Sequence, residues 1–476
     1  MINIYFHIDE LSRDSIVASA LTRIAKKKNW RIVYGSRNSG FLMAKFERFF
    51  DVIILPKPTF FTSFFHPSKI EGLRSNYIIL YTEQIGIMTA SHIPKLALRQ
   101  MLDKEFMSGD TKYVEKVAAF CLWSTQAKNI VIDRFPVLGQ KCYVVGHPRH
   151  DINANPIFVK PINLRPNNIG IVTRSIALND YFGRNSLDSI MDNRKFIEKG
   201  EIIEYSNPNN GETFASRIRG VNPKNDIAIE AIDFENMILI IEALTKLGLN
   251  ISIKKHPKED AKIYEKIVAQ LGRNVSLAPS NIPFAFWIQN QNYLIGPPST
   301  TFYDALMLGI LPISTSEINP IRKSLITDMY EDFNPVMEHV LKPKSINELV
   351  DFVQKNDPKA YQDLALKPEV IKILESEVNY PNHINSLSEF CEVIQNTLTH
   401  RKKSLAKYFM IHVYLIISKI ESEFRYMYYL LLEMYTGRKI MTSAGFVMSF
   451  KNRRYISKLS KSLERADNLV NNSNSS

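Results

Sequence analysis

Residues 293–314 read YLIGPPSTTFYDALMLGILPIS, and their pattern indicates the fold class of the chain. It contains an apolar run at Tyr293–Ile295, a Gly-Pro-Pro turn, a helical segment at Thr301–Leu308 and a second apolar run at Leu311–Ser314. Short apolar runs bounded by glycine and proline predict strands, and strands that alternate with helices predict a parallel sheet. The stretch therefore predicts one βαβ unit.

The same alternation of strands and helices extends through both halves of the chain. In the second half it predicts strands at Ile169–Thr173, Ile251–Lys255 and Val275–Leu277, and helices at Phe234–Leu247, Ala261–Leu271 and Pro283–Gln289. In the first half it predicts strands at Ile2–Ile8, Arg31–Tyr34, Asp51–Leu55, Tyr77–Tyr81, Ala118–Trp123 and Cys142–Val145. Two Rossmann-like domains follow, with an α/β fold whose two parallel sheets face a cleft.

The predicted division of the chain has four parts. A chain of 476 residues exceeds what one core usually organises. We expect a Rossmann-like acceptor domain over 1–152 and a linker rich in Pro and Asn over 153–168. We expect a donor domain over 169–400 and a basic, aromatic, helical tail over 401–476.

Charge is concentrated in the tail. The chain carries a net charge of +12, of which Arg401–Ser476 contributes +9 and the remaining 400 residues +3. A body so nearly balanced argues against nucleic acid as a partner, whereas a basic and aromatic tail suits an anionic membrane surface. The alternative for the tail is packing on the core or dimerisation.

The location expected from sequence is the cytoplasm. The amino terminus has no basic region followed by an apolar run, no segment reaches the roughly 18 apolar residues of a spanning helix, and the three cysteines form no CxxC pair. We therefore expect a cytoplasmic protein that is peripheral on the inner face of the membrane.

The first candidate site follows the predicted strand at Ile251–Lys255. Lys254, Lys255, His256 and Pro257 place two cations and an imidazole at the edge of the sheet where ligands bind. His256 can hydrogen-bond a phosphate or protonate a leaving oxygen. The alternative is a strand-end histidine that satisfies a backbone carbonyl.

The second candidate site follows the predicted strand at Tyr293–Ile295. Pro298, Ser299, Thr300 and Thr301 lead into a helix that carries Asp304. Hydroxyls and free N–H groups at a helix start favour an anion, although Ser and Thr also serve simply as helix caps. Because both candidate sites follow strands of one sheet, we expect them to converge on one ligand.

The first half supplies two further candidates. Glu83 follows the predicted strand at Tyr77–Tyr81 and is a candidate general base for an acceptor hydroxyl, or alternatively a nucleophile. The other interpretation is an N-capping or salt-bridged glutamate. Gly146, His147, Arg149 and Asp151 form a polar segment just before the linker. This segment is either part of the cleft or a hinge turn held by Arg149 and Asp151.

Several motifs are absent from the sequence. It has no DxD carboxylate pair, no GxxxxGK[ST] loop, no HExxH and no GxSxG. These absences disfavour metal-dependent single-domain glycosyltransferases, P-loop kinases, zincins and typical α/β-hydrolases. We expect no metal and no resident cofactor.

Together these segments resemble the bacterial surface-carbohydrate biosynthesis proteins, relatives of the capsule β-Kdo transferases and the CDP-glycerol glycerophosphotransferases. Val145–Asp151 is similar to the family's G-x-P-R-x-D segment, Ile253–Pro257 to its HP motif, and Phe286–Gly309 to its ST-containing phosphate motif. The likeness covers about Tyr77–Ser314. It implies a GT-B fold in which His256 and Ser299–Thr301 hold the donor phosphate.

The resemblance also implies a role for Glu83 on the acceptor side. Related transferases with cytidine-nucleotide donors, including bacterial sialyltransferases, are similar in pairing an acidic loop with HP and Ser-Ser or Ser-Thr motifs. This chain reads Glu83-Gln84-Ile85-Gly86 at that loop, which departs from the usual adjacent acidic pair.

The function expected is a metal-independent glycosyltransferase of capsule or lipopolysaccharide synthesis. It would move a sugar from a nucleotide donor to a glycan or lipid-linked glycan, and the donor expected is CMP-linked, such as CMP-Kdo. The alternatives are a CDP-polyol polyolphosphotransferase of the teichoic-acid type, a nucleotide-sugar 2-epimerase and a non-catalytic scaffold of a glycan-assembly complex.

Overall fold

A computed structural model describes most of both predicted domains and part of the tail. The described residues are 1–9, 11–57, 64–65, 67–80, 116–154, 167–176, 178–179, 223–257, 259–280, 282–325, 335–355, 367–380, 385–398, 405–436 and 452–461.

The first sheet has six parallel strands in the order β2-β1-β3-β4-β5-β6. The strands are β1 (Ile2–His7), β2 (Trp30–Gly35), β3 (Val52–Leu55), β4 (Asn76–Leu80), β5 (Val117–Leu122) and β6 (Cys142–Val144). All four residues of β3, VIIL, are buried because helices cover both faces of the sheet.

Helices cover the two faces of this sheet separately. They are α1 (Leu11–Lys27), α2 (Arg37–Lys45), α3 (Thr125–Arg134) and α4 (Pro148–Ala154). Ile4 and Phe6 pack with α1 on one face, whereas Tyr5 between them packs into the core on the other. The period of two in a strand explains this division.

The second sheet has five parallel strands in the order β9-β8-β7-β10-β11. The strands are β7 (Asn168–Val172), β8 (Asn250–Lys254), β9 (Val275–Leu277), β10 (Tyr293–Gly296) and β11 (Leu311–Ser314), and the helices between them are α5 (Pro223–Lys246), α6 (Ala261–Leu271), α7 (Phe284–Ile288) and α8 (Thr301–Met307). Strands β8 and β9 extend the sheet on one side of β7, and β10 and β11 then extend it on the other side. The boundary between β7 and β10 is therefore the topological switch point.

The remaining helices continue from the second sheet to the first. They are α9 (Pro320–Leu325), α10 (Ile346–Lys355), α11 (Pro368–Val378), α12 (Ser386–Thr397), α13 (Leu405–Thr436) and α14 (452–461). Helix α10 packs on α5 in the second sheet's core, whereas Phe390 of α12 and Ile456 of α14 lie in the core of the first. The last helices of the chain thus pack on the first domain.

The carboxyl edges of the two sheets meet. Helix α4 follows the carboxyl end of β6, α8 follows that of β10, and these two helices contact each other. Tyr303 and Leu306 of α8 belong to the same buried cluster as Phe120 of β5. The predicted α/β, GT-B architecture is confirmed, with two parallel sheets and a C-terminal helical region.

The predicted elements that fall on described residues are confirmed, with bounds shifted by a few residues. The largest difference is α5, which begins at Pro223 whereas the sequence predicted Phe234. The predicted linker over 153–168 lies mostly outside the described residues, and the domain boundaries stay predictions.

Candidate functional site

The two predicted phosphate motifs lie at the same edge of the second sheet. His256 follows β8 and Ser299 follows β10, and both strands pair with β7 between them. All three strands are parallel, so their carboxyl ends open on the same side, at the switch point. The structure therefore brings together the two motifs that the sequence predicted to converge.

Strand β10 approaches β7 closely at Gly296. A Cβ atom at this position would lie 2.7 Å from the carbonyl oxygen of Val172 and 2.6 Å from its Cγ2. No side chain fits there, so glycine is required where the strand turns into the Ser299 loop.

A buried carboxylate joins the loops after β7 and β8. Glu259, with 0% exposure, accepts hydrogen bonds from the hydroxyl of Thr173, the amide N–H of Ser175, the amide N–H of His256 (3.0 Å) and the hydroxyl of Tyr264 (2.9 Å). The His256 N–H also lies 3.0 Å from the Thr173 oxygen. Four donors on one carboxylate fix both loops at the switch point.

The burial of Glu259 has an electrostatic consequence. Burial raises the pKa of its carboxyl, and the hydrogen bonds from Thr173, Ser175, Tyr264 and His256 oppose that shift. A carboxylate that accepts this many hydrogen bonds is stabilised in its charged form. Its position behind the loops makes it a positioning residue.

The two lysines of the first motif bind backbone carbonyls. Lys254 Nζ donates to the carbonyls of Pro279 (2.9 Å) and Ile282 (2.7 Å), and buried Lys255 donates to that of Glu259 (2.7 Å). The ammonium groups thus stabilise the loops of the site through hydrogen bonds to their backbone carbonyls. Contact of either lysine with a donor phosphate stays a prediction.

His256 is half-buried and lies just beyond the end of β8. Its backbone N–H donates to Thr173 and Glu259, which fixes the main chain of this residue at the edge of the sheet. The ring can donate to or accept from an oxygen of a ligand.

The Ser299 loop is partly exposed over Ser299–Thr301, with Pro298 buried behind it. The amide N–H and the hydroxyl of Thr301 both donate to Ser299 Oγ, at 3.3 Å and 3.0 Å. Thr300 is the N-cap residue and makes no side-chain cap. Ser299 therefore accepts two bonds and still carries its own O–H proton to donate to an anion.

Asp304 joins the two domains. Its carboxylate is 4% exposed and lies 3.4 Å from Arg149 Nη2 and 3.6 Å from His150 Nε2. The sequence predicted donor binding by Asp304, but the structure turns this carboxylate to the first domain. The pairing with Arg149 positions α8, and contact of Asp304 with a donor stays a prediction.

The polar segment before the linker packs on one tryptophan. The rings of His147 and His150 lie 5.0 Å and 5.4 Å from that of Trp123, and the Arg149 guanidinium lies 5.6 Å from it. Gly146 has a φ of +69°, which glycine adopts without strain. These contacts favour the hinge interpretation of this segment.

Asp151 ties the same segment to the crossing helix α12. Its Oδ2 accepts the amide N–H of Leu387 at 3.0 Å, which caps the start of α12. Burial raises the pKa of the Asp151 carboxyl to about 7, the Leu387 hydrogen bond lowers it and Glu389 raises it. The joint between domains thus contains a group that titrates near neutrality.

Sequence reasoning missed Thr173, Arg174 and Glu259. Arg174 is half-buried between two residues bonded to Glu259, at the exit of the central strand. A cation directly after the predicted strand at Ile169–Thr173 was the signal that could have identified Arg174. The candidate base Glu83 lies outside the described residues, and within the described ranges no group of three or more His, Cys, Asp or Glu side chains is placed to hold a metal.

Comparisons with known proteins give a fold-level likeness alone. No family model matches the sequence, and no curated protein matches it. Similar solved structures include a Methanocaldococcus jannaschii UDP-GlcNAc 2-epimerase in complex with UDP-GlcNAc and UDP, at 11% identity over 83% of this chain and 99% of that one, with a TM-score of 0.42. The wall teichoic acid polymerase TagF matches at 12% identity over 83% of this chain and 89% of that one, with a TM-score of 0.48. At these values the likeness carries no argument on activity.

Proposed function

We propose that this chain is a transferase that moves a sugar from a nucleotide donor to a glycan acceptor. The observation that carries the proposal is the shared edge of His256 and Ser299, on either side of β7 at the switch point. Open parallel sheets bind their ligands at such points. The loops of the site are fixed by a buried carboxylate, which is typical of a site held ready for a ligand.

The chemistry that these residues support is stabilisation of a departing phosphate. In the transfer step the bond between the anomeric carbon and the phosphate oxygen breaks, and that oxygen gains negative charge. The Ser299 hydroxyl, the His256 imidazole and the Arg174 guanidinium supply hydrogen bonds and positive charge to it. The acceptor oxygen bonds to the anomeric carbon and passes its proton to a base, for which the sequence offers Glu83.

The finer assignments come from the sequence resemblance. They are a CMP-linked sugar as the donor and a growing surface glycan or a lipid-linked glycan as the acceptor. Catalysis without a metal is inferred from the absence of a DxD pair in the sequence. A CDP-polyol donor is the alternative that uses the same phosphate site.

A ligand screen and two variants test the proposal. We expect one of CMP, CDP, UDP or GDP to raise the melting temperature in a thermal-shift assay, since a ligand that binds the native state stabilises it. His256→Ala and Ser299→Ala should each lower transfer at least tenfold, with chelator present or absent. His339→Ala is the matched control, because His339 follows a 3-10 helix and precedes the bridge to β11, away from this edge.

Full transfer activity in both site variants would exclude this site. Stabilisation by CDP-glycerol together with release of CMP and glycerol phosphate transfer would replace the sugar-donor assignment by the polyol one.

A further inference from the structure

The long helix α13 has one face that packs on the first domain. Ile411, Tyr414, Ser418 and Ser422 of this helix are buried, and the Tyr414 ring lies 5.3 Å from that of Phe50. These residues are spaced three and four apart, as expected for one face of a helix. This face of the tail helix therefore packs on the core, as one of the alternatives predicted from the sequence had it.

The opposite face of α13 is apolar and exposed. Its large exposed residues are Phe409, Ile416, Ile417, Ile420, Phe424, Met427, Tyr428, Leu431, Met434 and Tyr435. At about 100° per residue these ten positions fall within an arc of roughly 120°, and they extend for about 39 Å along the helix axis. We call this set the outer stripe.

The outer stripe is larger than a soluble surface usually tolerates. Phe424 is 74% exposed, Met434 73% and Tyr435 91%. Ten side chains exposed to this degree present on the order of 1,000 Å² of largely apolar surface, against a few hundred Å² for a typical largest patch. A surface of this size indicates a partner.

Exposed cations lie on α13 and on the elements that contact it. Lys45 and Arg48 lie on α2 and the turn after it, both of which contact α13, and Lys419 lies on α13 itself. Helix α14 packs on α13 through Arg453, whose guanidinium donates to Ser418 at 3.3 Å. Helix α14 carries four Lys or Arg and no Asp or Glu.

Helix α13 itself carries charges of both signs. Glu421 is paired with Arg425 at 2.9 Å, and Glu423 and Lys419 lie on the same helix. The excess of positive charge near α13 therefore comes from α2, the turn after it and α14.

We propose that the outer stripe docks on the surface of a bilayer that contains anionic lipids. Apolar and aromatic side chains enter the interface between headgroups and acyl chains, and flanking cations bind the anionic headgroups. In the described part of the chain no helix is long and apolar enough to cross a membrane, so the helix would lie along the surface.

A second copy of the chain fits the same face less well. A two-fold interface places identical patches against each other, so the cations of α2 and α14 from both copies would approach like charges. An anionic surface attracts those same cations. Docking is independent of the donor chemistry proposed above and is measured without any substrate.

The test is co-sedimentation of the full chain with vesicles of pure phosphatidylcholine and of phosphatidylcholine with 30% phosphatidylglycerol. We expect binding to the anionic vesicles, weakened by high salt. The double variant Phe424→Ser with Leu431→Ser should lower the partition coefficient at least tenfold. Val137→Ser is the matched control, because Val137 is 74% exposed and lies in the first domain outside α13.

A fluorescence reporter keeps the test valid whatever the stability of the double variant. In Tyr435→Trp the indole emission should shift to shorter wavelength when anionic vesicles are added, and in Val137→Trp it should not. Equal binding by wild type and the Phe424/Leu431 variant, with no shift in Tyr435→Trp, would overturn the proposal. So would a dimer in solution that the Phe424/Leu431 variant converts to a monomer.

Discussion

Removal of the Glu259 carboxylate tests how the phosphate site is built. In Glu259→Ala the hydroxyls of Thr173 and Tyr264 and the amide of Ser175 lose their acceptor, whereas the His256 amide loses one of two acceptors and keeps the Thr173 oxygen. The carboxylate touches none of the atoms proposed to bind donor. Any effect on donor binding must therefore pass through the loops that it positions.

The magnitude follows from the four bonds. Each buried donor left without a partner costs about 1–3 kcal/mol, and removal of a buried charge returns part of that cost. We expect Glu259→Ala to lower the free energy of unfolding by about 3–5 kcal/mol. In Glu259→Gln the amide oxygen can keep the three bonds on Oε2, while its NH₂ group faces the Ser175 N–H, so we expect a loss of about 1–3 kcal/mol.

The assay pairs urea unfolding with nucleotide affinity for each variant, measured where the protein is folded. Affinity should fall at least tenfold in Glu259→Ala and less in Glu259→Gln. Glu235→Ala, an exposed glutamate on α5, is the control and should change neither quantity. An unfolding free energy within 0.5 kcal/mol of wild type in Glu259→Ala, with unchanged affinity, would refute the positioning role.

Two further predictions concern the joint between domains. Arg149→Ala should lower the free energy of unfolding by about 1–3 kcal/mol, because it removes the ion pair with buried Asp304 and the contact with Trp123. Lys355→Ala is the control, because Lys355 belongs to an exposed ion pair at 3.2 Å. In the same denaturation assay it should cost under about 0.5 kcal/mol. Equal effects of the two variants would contradict this. The pKa of the Asp151 carboxyl is raised from 3.8 to about 7 on folding. The protonated carboxyl therefore stabilises the folded protein in full below pH 4. This stabilisation, at most about 4 kcal/mol, is lost as the pH rises to 7. Asp151→Asn should therefore flatten the pH dependence of stability between pH 4 and 7, and parallel curves for the two proteins would exclude that role.

The sequence was sufficient for the order of strands and helices because each element carries its own periodicity and its own boundaries. Residues 261–271 form a helix with the bounds predicted, since Asp260 caps its start and Gly272 follows its end with a φ of +94°. The start of α5 was predicted eleven residues late, because Pro223 begins the helix before the apolar period becomes regular.

The candidate site was harder to predict from sequence because its residues depend on pairing across strands. The position of β7 between β8 and β10 is a property of the sheet order, and no local sequence pattern predicts it. Glu259 lies three residues after His256, where a charged residue looks solvated, yet it is fully buried. The direction of the Asp304 carboxylate depends on packing between domains, which sequence spacing does not encode.

The short helix α8 connects the proposed phosphate site to the joint between domains. Ser299 lies just before this helix and Asp304 lies one turn into it, paired with Arg149 of the first domain. Seven helical residues in a buried core form a rigid unit, so movement of the Ser299 loop displaces the Asp304 carboxylate with it. In the proposed function, donor binding at the Ser299 loop and the Asp304–Arg149 pair are therefore coupled through one helix. We expect the Arg149 variant to lower donor affinity although Arg149 itself pairs with a carboxylate.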